Sequence, residues 1–339
     1  MGISRRGFLG TSAALGSLAT EQLGIAESVK KAVLPTRVLG RTGARVSILA
    51  FGCGSRFLAY HEDDKAVGAL NHALDLGVTY VDTAYAYGNG ISETRVGKVM
   101  STRRKDVFLA TKMQEREGEK VKAIIEGSLK RLQTDQLDLI HIHELKGEDD
   151  LARIEAKGGI LDTLLKLRDQ KVTRFIGITC HNDPAVLKTA LERHDFDCTQ
   201  FALNAARVGM KVGHGSPLGS MVINPDTKAS FETIALPVAK RKNMGVIGMK
   251  VFAADGLIGQ ANPEKLLYYS LSLPVAAVSV GMPTLQHIEE STRMAREFQP
   301  LPPDEMQRMS DRLSSQNKTA LDWYLHHHQD QFPNEPSEG

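Results

Sequence analysis

Short apolar runs alternate with longer amphipathic stretches along most of the chain. Eight such pairs follow one another between residues 48 and 298, and each joins a run of strand length to a stretch with apolar residues at intervals of three and four. The runs are apolar at successive positions, which is typical of parallel strands buried on both faces. Eight β/α units in roughly 250 residues predict an α/β protein with a (β/α)8 TIM barrel.

The predicted barrel occupies residues 36–300. Its strands are Ile48–Gly52, Tyr80–Thr83, Val107–Lys112, Leu137–His143, Phe175–Thr179, Thr199–Leu203, Gly245–Met249 and Ala276–Val280. The helices that follow them are Asp63–Leu76, Ser92–Met100, Glu117–Leu132, Ile160–Gln170, Pro184–Arg193, Phe231–Lys242, Pro263–Leu271 and Leu285–Phe298.

Further segments lie outside this repeat or interrupt it. Residues 36–48 predict an N-terminal hairpin that turns at Thr42 and Gly43, and residues 301–339 predict a C-terminal helical tail with a disordered end. The charged stretch 146–159 and the Gly- and Pro-rich stretch 205–230 are predicted to be irregular. Long loops after barrel strands usually shape or cover a site.

Composition sets limits on the function. The chain has 339 residues, 42% hydrophobic and 24% charged, which is ordinary for a globular protein with a full core. A formal net charge of +2 without a long basic run gives no electrostatic reason to expect a nucleic-acid partner. The three cysteines are scattered without a CxxC pair, so we expect neither a disulfide framework nor a bound metal.

The N-terminus has the pattern of an export signal. Arg5 and Arg6 precede Phe8 and Leu9, and a run of small apolar residues follows at 10–19. This looks like a twin-arginine signal covering residues 1–26, which predicts transient contact with the twin-arginine export machinery and a periplasmic protein. The run is too short for a stable membrane anchor. The alternative is a disordered basic N-terminus on a cytoplasmic protein.

Four polar residues follow the predicted strands at or near their C-terminal ends. Asp82 comes at the end of the second strand, Tyr87 lies five residues later, and Lys112 and His143 end the next two strands. In a parallel barrel these ends converge on one face, which carries the active site. We therefore expect a carboxylate, a phenol, an ammonium and an imidazole to meet there.

This set of groups suits the protonation of a carbonyl oxygen. A free tyrosine has a pKa of about 10, and a neighbouring Lys112 ammonium is expected to lower the pKa of Tyr87. Asp82 would keep the lysine charged, and His143 would donate a hydrogen bond to the substrate oxygen. Side chains supply no hydride, so a nicotinamide cofactor is implied.

The segments Asp82–Gly88, Ala110–Lys112 and Asp138–His143 resemble three motifs of the aldo-keto reductase family, and the similarity extends from about Leu39 to Glu297. The resemblance implies a (β/α)8 barrel that reduces an aldehyde or ketone to an alcohol with NADPH. It implies that Tyr87 is the proton donor, that Asp82 and Lys112 tune it, and that His143 orients the substrate.

The resemblance also implies a cofactor site, and several positions depart from the family pattern. The positions carried over are Thr179, Cys180, Gln200, Met249, Lys250, Gly281, His287 and Ser291. Gln200 would hold the nicotinamide carboxamide. Gly281 and His287 stand where the family has basic residues for the 2′-phosphate, so NADP(H) is expected and NAD(H) stays open.

Two other functions remain open. His141 and His143 share one face of a strand, and with His181 they could serve a metal-dependent hydrolase. A barrel that binds NADP without catalysis, as a sensor or partner subunit, is the other alternative. For the substrate, His61, Glu144, His181 and Arg207 would make the barrel mouth polar, which favours a sugar or polyol-like carbonyl over a steroid.

Overall fold

Eight parallel strands close into a barrel in the computed structural model, which describes residues 34–213 and 221–319. In chain order the strands are β1 (Thr36–Val38), β2 (Arg45–Ser47), β3 (Leu49–Gly52), β4 (Tyr80–Asp82), β5 (Phe108–Met113), β6 (Leu137–Leu145), β7 (Thr173–Cys180), β8 (Cys198–Ala202), β9 (Gly209–Val212), β10 (Met221–Asn224), β11 (Gly245–Met249) and β12 (Ala277–Val280). Strands β3 to β8 are neighbours in sequence order, and β11 and β12 complete the ring by pairing with β8 and β3. The prediction of a (β/α)8 barrel is confirmed.

Helices follow the barrel strands and pack on the outside of the ring. They are α1 (Ser55–Leu58), α2 (Asp63–Asp75), α3 (Ile91–Arg103), α4 (Gly118–Leu132), α5 (Glu148–Glu155), α6 (Ile160–Asp169), α7 (Pro184–Arg193), α8 (Phe231–Ile234), α9 (Leu236–Arg241), α10 (Pro263–Ser272), α11 (Leu285–Arg296) and α12 (Pro303–Asn317). Side chains cap several of them: Asp183 accepts hydrogen bonds from two backbone amides of α7, and Asn262 and Thr284 each accept one from α10 and α11. None of the helices in the described part of the chain combines the length and apolar character needed to cross a bilayer.

The N-terminal hairpin of β1 and β2 closes one end of the barrel. Leu39 and Val46 are fully buried in the same apolar cluster as Tyr80 and Phe108 inside the ring. A side chain at Gly245, where β11 begins, would collide with Leu39. The hairpin therefore covers the end at which the strands begin, and the opposite end is left for a site.

Some sequence expectations about the loops were wrong. The stretch 146–159 contains helix α5, whose Leu151 and Ile154 are buried in the main hydrophobic core. Residues 209–212 and 221–224 of the second stretch pair as an antiparallel hairpin, β9 with β10. The single helix expected at 231–242 is broken into α8 and α9, because Pro237 lacks an amide hydrogen and its ring would clash with the preceding turn.

Other expectations are confirmed or fall outside the described residues. The hairpin at residues 36–47 and a helix in the C-terminal tail, α12, are both present. The predicted signal peptide at residues 1–26 and the predicted disordered end at 320–339 lie outside the described residues.

Gly97 provides a test of the packing between α3 and α4. A Cβ at this position would overlap the carbonyl oxygen of Arg131, whereas a Cβ at Gly68 in α2 would meet no atom within 4 Å. We expect Gly97→Ala to lower the free energy of unfolding by about 1–3 kcal/mol through overpacking. Gly68→Ala should raise it by roughly 0.5–1 kcal/mol through helix propensity. Urea denaturation measures both, and equal effects at the two sites would contradict the close approach of the helices.

Candidate active site

The four residues predicted from the strand ends come together at the end of the barrel opposite the hairpin. Asp82 is the last residue of β4, Lys112 lies in β5 and His143 in β6. Tyr87 lies in the loop after β4. Because three of these side chains project from barrel strands, their relative positions are fixed by the register of the sheet.

Lys112 is the centre of the cluster. Its Nζ atom lies 2.7 Å from Oδ1 of Asp82. It donates hydrogen bonds of 3.0 Å to the phenol oxygen of Tyr87 and to the carbonyl oxygen of Thr83. The residue is only 1% exposed, so its charge has no contact with bulk water. Two hydrogen bonds and one ion-pair contact thus surround the ammonium group with oxygen atoms.

Two further side chains hold the carboxylate of Asp82. Gln200 Nε2 donates to Oδ2 over 2.9 Å, and Ser279 Oγ donates to the same oxygen over 3.0 Å. Gln200 was predicted as a cofactor residue, and Ser279 was not predicted at all. Ser279 belongs to β12, which reaches Asp82 because β12 and β4 both flank β3 in the closed barrel.

The pKa of Tyr87 lies above its ordinary value, contrary to the sequence expectation. Burial penalises the charged phenolate and is the largest cause, and Asp82 adds to it. Lys112 lowers the pKa of Tyr87 as predicted, but the effect is too small to outweigh burial. The desolvation of the phenol depends on the folded environment, so the sequence alone does not reveal it.

The pKa of Lys112 is raised. Burial alone would lower the pKa of this ammonium, but Asp82 and Tyr87 both stabilise the charged form and together outweigh burial. The lysine is therefore an ammonium at any physiological pH.

His143 lies beside the phenol as a neutral imidazole. The ring centroids of Tyr87 and His143 are 5.7 Å apart and the rings meet edge to face. Burial, with Lys112 as the next cause, holds the pKa of His143 well below its ordinary value. A neutral imidazole has one nitrogen that donates and one that accepts, so His143 can donate a hydrogen bond to a substrate oxygen.

His141 lies deeper in the barrel. It is fully buried, and neither ring nitrogen has a partner among the described residues. Burial lowers its pKa to about 3. Within residues 34–213 and 221–319, no three His, Cys, Asp or Glu side chains are grouped as metal ligands, so the geometry offers no support for a site made by His141, His143 and His181.

Comparison with known proteins identifies the family. The profile of the Aldo/keto reductase family matches residues 49–268. This chain is an aldo/keto reductase. It is therefore an oxidoreductase, and the enzyme prediction is confirmed.

Two sequence relatives are named for sugars, and a solved structure has the same fold. L-galactose dehydrogenase from Arabidopsis thaliana is 30% identical over 312 residues, which cover 79% of this chain and 90% of the relative. D-threo-aldose 1-dehydrogenase from Pseudomonas sp is 26% identical over 258 residues, with coverages of 66% and 70%. A solved aldo-keto reductase from Klebsiella pneumoniae in complex with NADPH has a TM-score of 0.65 at 19% identity, covering 83% of this chain and 96% of that one. That structure shows the common fold.

The residues predicted to contact nicotinamide differ in their surroundings in this aldo/keto reductase. Oε1 of Gln200 is buried and has no partner in the described part of the chain, so it can accept from a carboxamide. The hydroxyl of Thr179 donates to the Ile142 carbonyl over 3.4 Å. The Cys180 thiol lies against the carbonyls of Leu145 and Asp183, at 3.3 and 3.4 Å, and burial raises its pKa to about 12. The Cys180 side chain thus contacts the protein backbone at the end of β6 and just before α7.

Met249 and Lys250 lie at the end of β11. Met249 is its last residue and is buried. Lys250 has a left-handed backbone with φ of 58°. Burial lowers the pKa of the Lys250 ammonium, and the nearby Glu144 opposes that shift.

The predicted 2′-phosphate residues lie around the start of α11. Gly281 follows β12, His287 is in the first turn and hydrogen-bonds to Thr284 over 2.7 Å, and Ser291 is buried further along the helix. A Cβ at Gly281 would lie 2.9 Å from the side chain of Arg56. Arg56 is more than 200 positions from Gly281 in the chain, so this contact could not be predicted from the sequence.

The polar mouth expected from the sequence is formed in part. His181 Nε2 lies 3.1 Å from Oε2 of Glu144. Arg207 is instead held by Glu232 and by the phenol of Tyr269, at 3.0 and 3.2 Å.

The buried pair of Lys112 and Asp82 can be tested by its stability. We expect Lys112→Met to lower the free energy of unfolding by about 3–5 kcal/mol, because the Asp82 carboxylate would be left buried without its cation. The double variant with Asp82→Asn should recover part of that loss. Urea denaturation of the single and double variants measures the coupling.

A matched control is the exposed pair of Lys120 and Glu117, whose side chains are 61% and 66% exposed. Lys120→Met should change stability by less than about 1 kcal/mol. If Lys112→Met lowered the free energy of unfolding by no more than Lys120→Met does, the burial of the Lys112 charge would be contradicted.

Proposed function

We propose that this aldo/keto reductase interconverts small carbonyl compounds and alcohols with NADP(H), and that Tyr87 transfers the proton. The observation that carries the proposal is the Lys112 ammonium, hydrogen-bonded to Tyr87 and paired with Asp82 in a buried site. A phenol in contact with a permanent cation can give up its proton and then be stabilised as phenolate.

The residues present fit a nicotinamide cofactor. Gln200 would hold the carboxamide through Oε1, which is buried and has no partner among the described residues. When bound, the dihydronicotinamide supplies the hydride that no side chain can supply. Arg56 would favour NADP(H) over NAD(H), because its side chain lies against Gly281 through Cβ and Cγ and its guanidinium could bind a 2′-phosphate. His287, in the first turn of α11, offers a second hydrogen-bonding group.

Each side chain of the cluster would have a separate task in carbonyl reduction. The raised pKa of Tyr87 keeps the proton on the phenol at neutral pH until the carbonyl oxygen becomes basic. The Lys112 ammonium would then stabilise the phenolate. Neutral His143 would donate a hydrogen bond to the same carbonyl oxygen and orient it toward Tyr87. In the reverse reaction the phenolate would accept the proton of the alcohol.

Two relatives support a sugar-like substrate. L-galactose dehydrogenase and D-threo-aldose 1-dehydrogenase are both named for sugars, and the first aligns with 79% of this chain. The polar pair of Glu144 and His181 near His143 agrees with a hydroxylated substrate better than with an apolar one.

Replacement of Tyr87 tests the proposed acid. Tyr87→Phe should lower kcat for aldehyde reduction by about 10²–10⁴-fold, while the Kd of NADPH stays close to wild type. Tyr85→Phe is the matched control, because Tyr85 lies two residues away with its ring under Arg131 at 4.8 Å and outside the Lys112 cluster. Steady-state kinetics and a fluorescence titration measure the two quantities. Unchanged kcat in Tyr87→Phe would identify another acid.

We also infer that residues 1–26 direct export of the folded protein to the periplasm through the twin-arginine machinery. These residues lie outside the described part of the structure, so the inference rests on Arg5, Arg6 and the apolar run after them. Nicotinamide cofactors are recycled in the cytoplasm, so an exported reductase would have to keep its cofactor. An ion pair of Arg56 with Asp255 supports retention, since it joins the segments after β3 and β11.

Cofactor retention can be measured directly. Protein purified from a periplasmic extract and then denatured should release close to one nicotinamide dinucleotide per chain. Asp255→Asn should speed release about three- to fivefold, as expected for an exposed ion pair. Asp304→Asn, which breaks the exposed pair with Arg308 on α12, should leave release unchanged. An empty barrel with fast exchange would rule out retention, and absence from the periplasm would rule out export.

A further inference from the structure

We propose that Glu144 and His181 form a hydroxyl-binding subsite beside the reacting carbonyl, which selects polyhydroxylated carbonyl compounds over plain aldehydes. The inference rests on the proposed function, since it assigns a substrate class to the same site. It gives Glu144 and His181 a role as specificity-determining residues.

A bulge in β6 turns Glu144 toward the mouth of the barrel. Ile142 pairs with Ile178, but Leu145 pairs with Cys180, so β6 uses one more residue than β7 between the same points. The extra residue interrupts the alternation of side chains along the strand. His143 can thus lie beside Tyr87 while the next residue, Glu144, reaches His181 at the end of β7.

The subsite adjoins the cluster formed by Asp82, Tyr87, Lys112 and His143. The ring of His143 is 5.7 Å from that of Tyr87 on one side and 6.5 Å from that of His181 on the other. His181 Nε2 then contacts Glu144 Oε2 at 3.1 Å. A carbonyl held between Tyr87 and His143 would have its adjoining carbon atoms directed along this line.

The hydrogen-bonding pattern of the pair matches hydroxyl groups. Nε2 of His181 faces Glu144, so in the neutral ring with its proton on Nε2 the other nitrogen, Nδ1, is an acceptor, and it has no partner within the described ranges. The second carboxylate oxygen of Glu144 is another acceptor. Hydroxyl groups can donate to both, whereas the carbon chain of a plain aldehyde can donate to neither.

Burial makes this preference strong. The side chains of His181 and Glu144 are 10% and 19% exposed. Burial lowers the pKa of His181 and raises that of Glu144, which shows that both polar groups are poorly solvated. A substrate without hydroxyl groups would leave them unsatisfied in the complex, and such mismatches discriminate more strongly than a missing methylene group.

Charges of both signs surround Glu144. Lys146, Lys250 and Arg116 all act on Glu144, with Asp150 opposing them. Arg116 is already occupied, since it forms two 2.9 Å hydrogen bonds with Asp150.

A pair of matched substrates tests the subsite. Glyceraldehyde and propanal have the same three-carbon chain and differ by two hydroxyl groups. Wild-type kcat/KM, corrected for free aldehyde, should favour glyceraldehyde over propanal by about 100-fold or more. In Glu144→Gln and in His181→Phe the ratio of glyceraldehyde to propanal should fall at least tenfold.

The chain offers a control of the same chemistry. His194 and Glu155 form a comparable contact of 2.7 Å near the end of α7. Glu155→Gln should leave the substrate ratio unchanged. If Glu144→Gln does not fold, His181→Phe still tests the same ratio.

A binding measurement separates the subsite from the reaction. Galactitol, which cannot react with the reduced cofactor, should bind the NADPH complex of wild type in calorimetry and bind at least tenfold more weakly to the NADPH complex of Glu144→Gln. Turnover without discrimination overturns the subsite and leaves the proposed function intact. Galactitol binding that depends on Glu144, without turnover of any aldehyde, supports the subsite and overturns the proposed function.

Discussion

A buried cation is the constraint around which the site is built. Lys112 has almost no contact with water, so its charge requires the Asp82 carboxylate at 2.7 Å. The carboxylate in turn needs donors, which Gln200 and Ser279 supply from β8 and β12. The pair of Lys112 and Asp82 is thus held by side chains from four strands of the closed barrel, and its geometry is as rigid as the sheet.

The two ends of the barrel divide the tasks of stability and chemistry. At one end, Leu39 and Val46 of the hairpin complete an apolar cluster with Tyr80 and Phe108. At the other, polar side chains replace apolar ones, and buried atoms such as Gln200 Oε1 and His181 Nδ1 have no partner in the described part of the protein. Buried polar groups without partners are costly, and their concentration at one end is what a binding site for polar ligands requires.

The opposing effects on Tyr87 explain why a lysine–carboxylate pair is useful next to a phenol. Burial raises the pKa of the phenol and keeps it protonated, while Lys112 acts in the other direction and would stabilise the phenolate in the proposed proton transfer. Asp82 moderates the lysine, since its own charge raises the pKa of Tyr87. A lone ammonium would make Tyr87 more acidic but would be unstable in the barrel interior.

The sequence by itself determined the order of strands and helices, because apolar spacing is a local property. It also placed Asp82, Lys112 and His143 at one end of the barrel, because strand ends converge in any parallel barrel. The tertiary structure alone decided the rest. Ser279 meets Asp82 through ring closure, Arg56 meets Gly281 across more than 200 residues, and Glu144 meets His181 through a bulge. The direction of the pKa shift at Tyr87 also depends on burial, which no local pattern encodes.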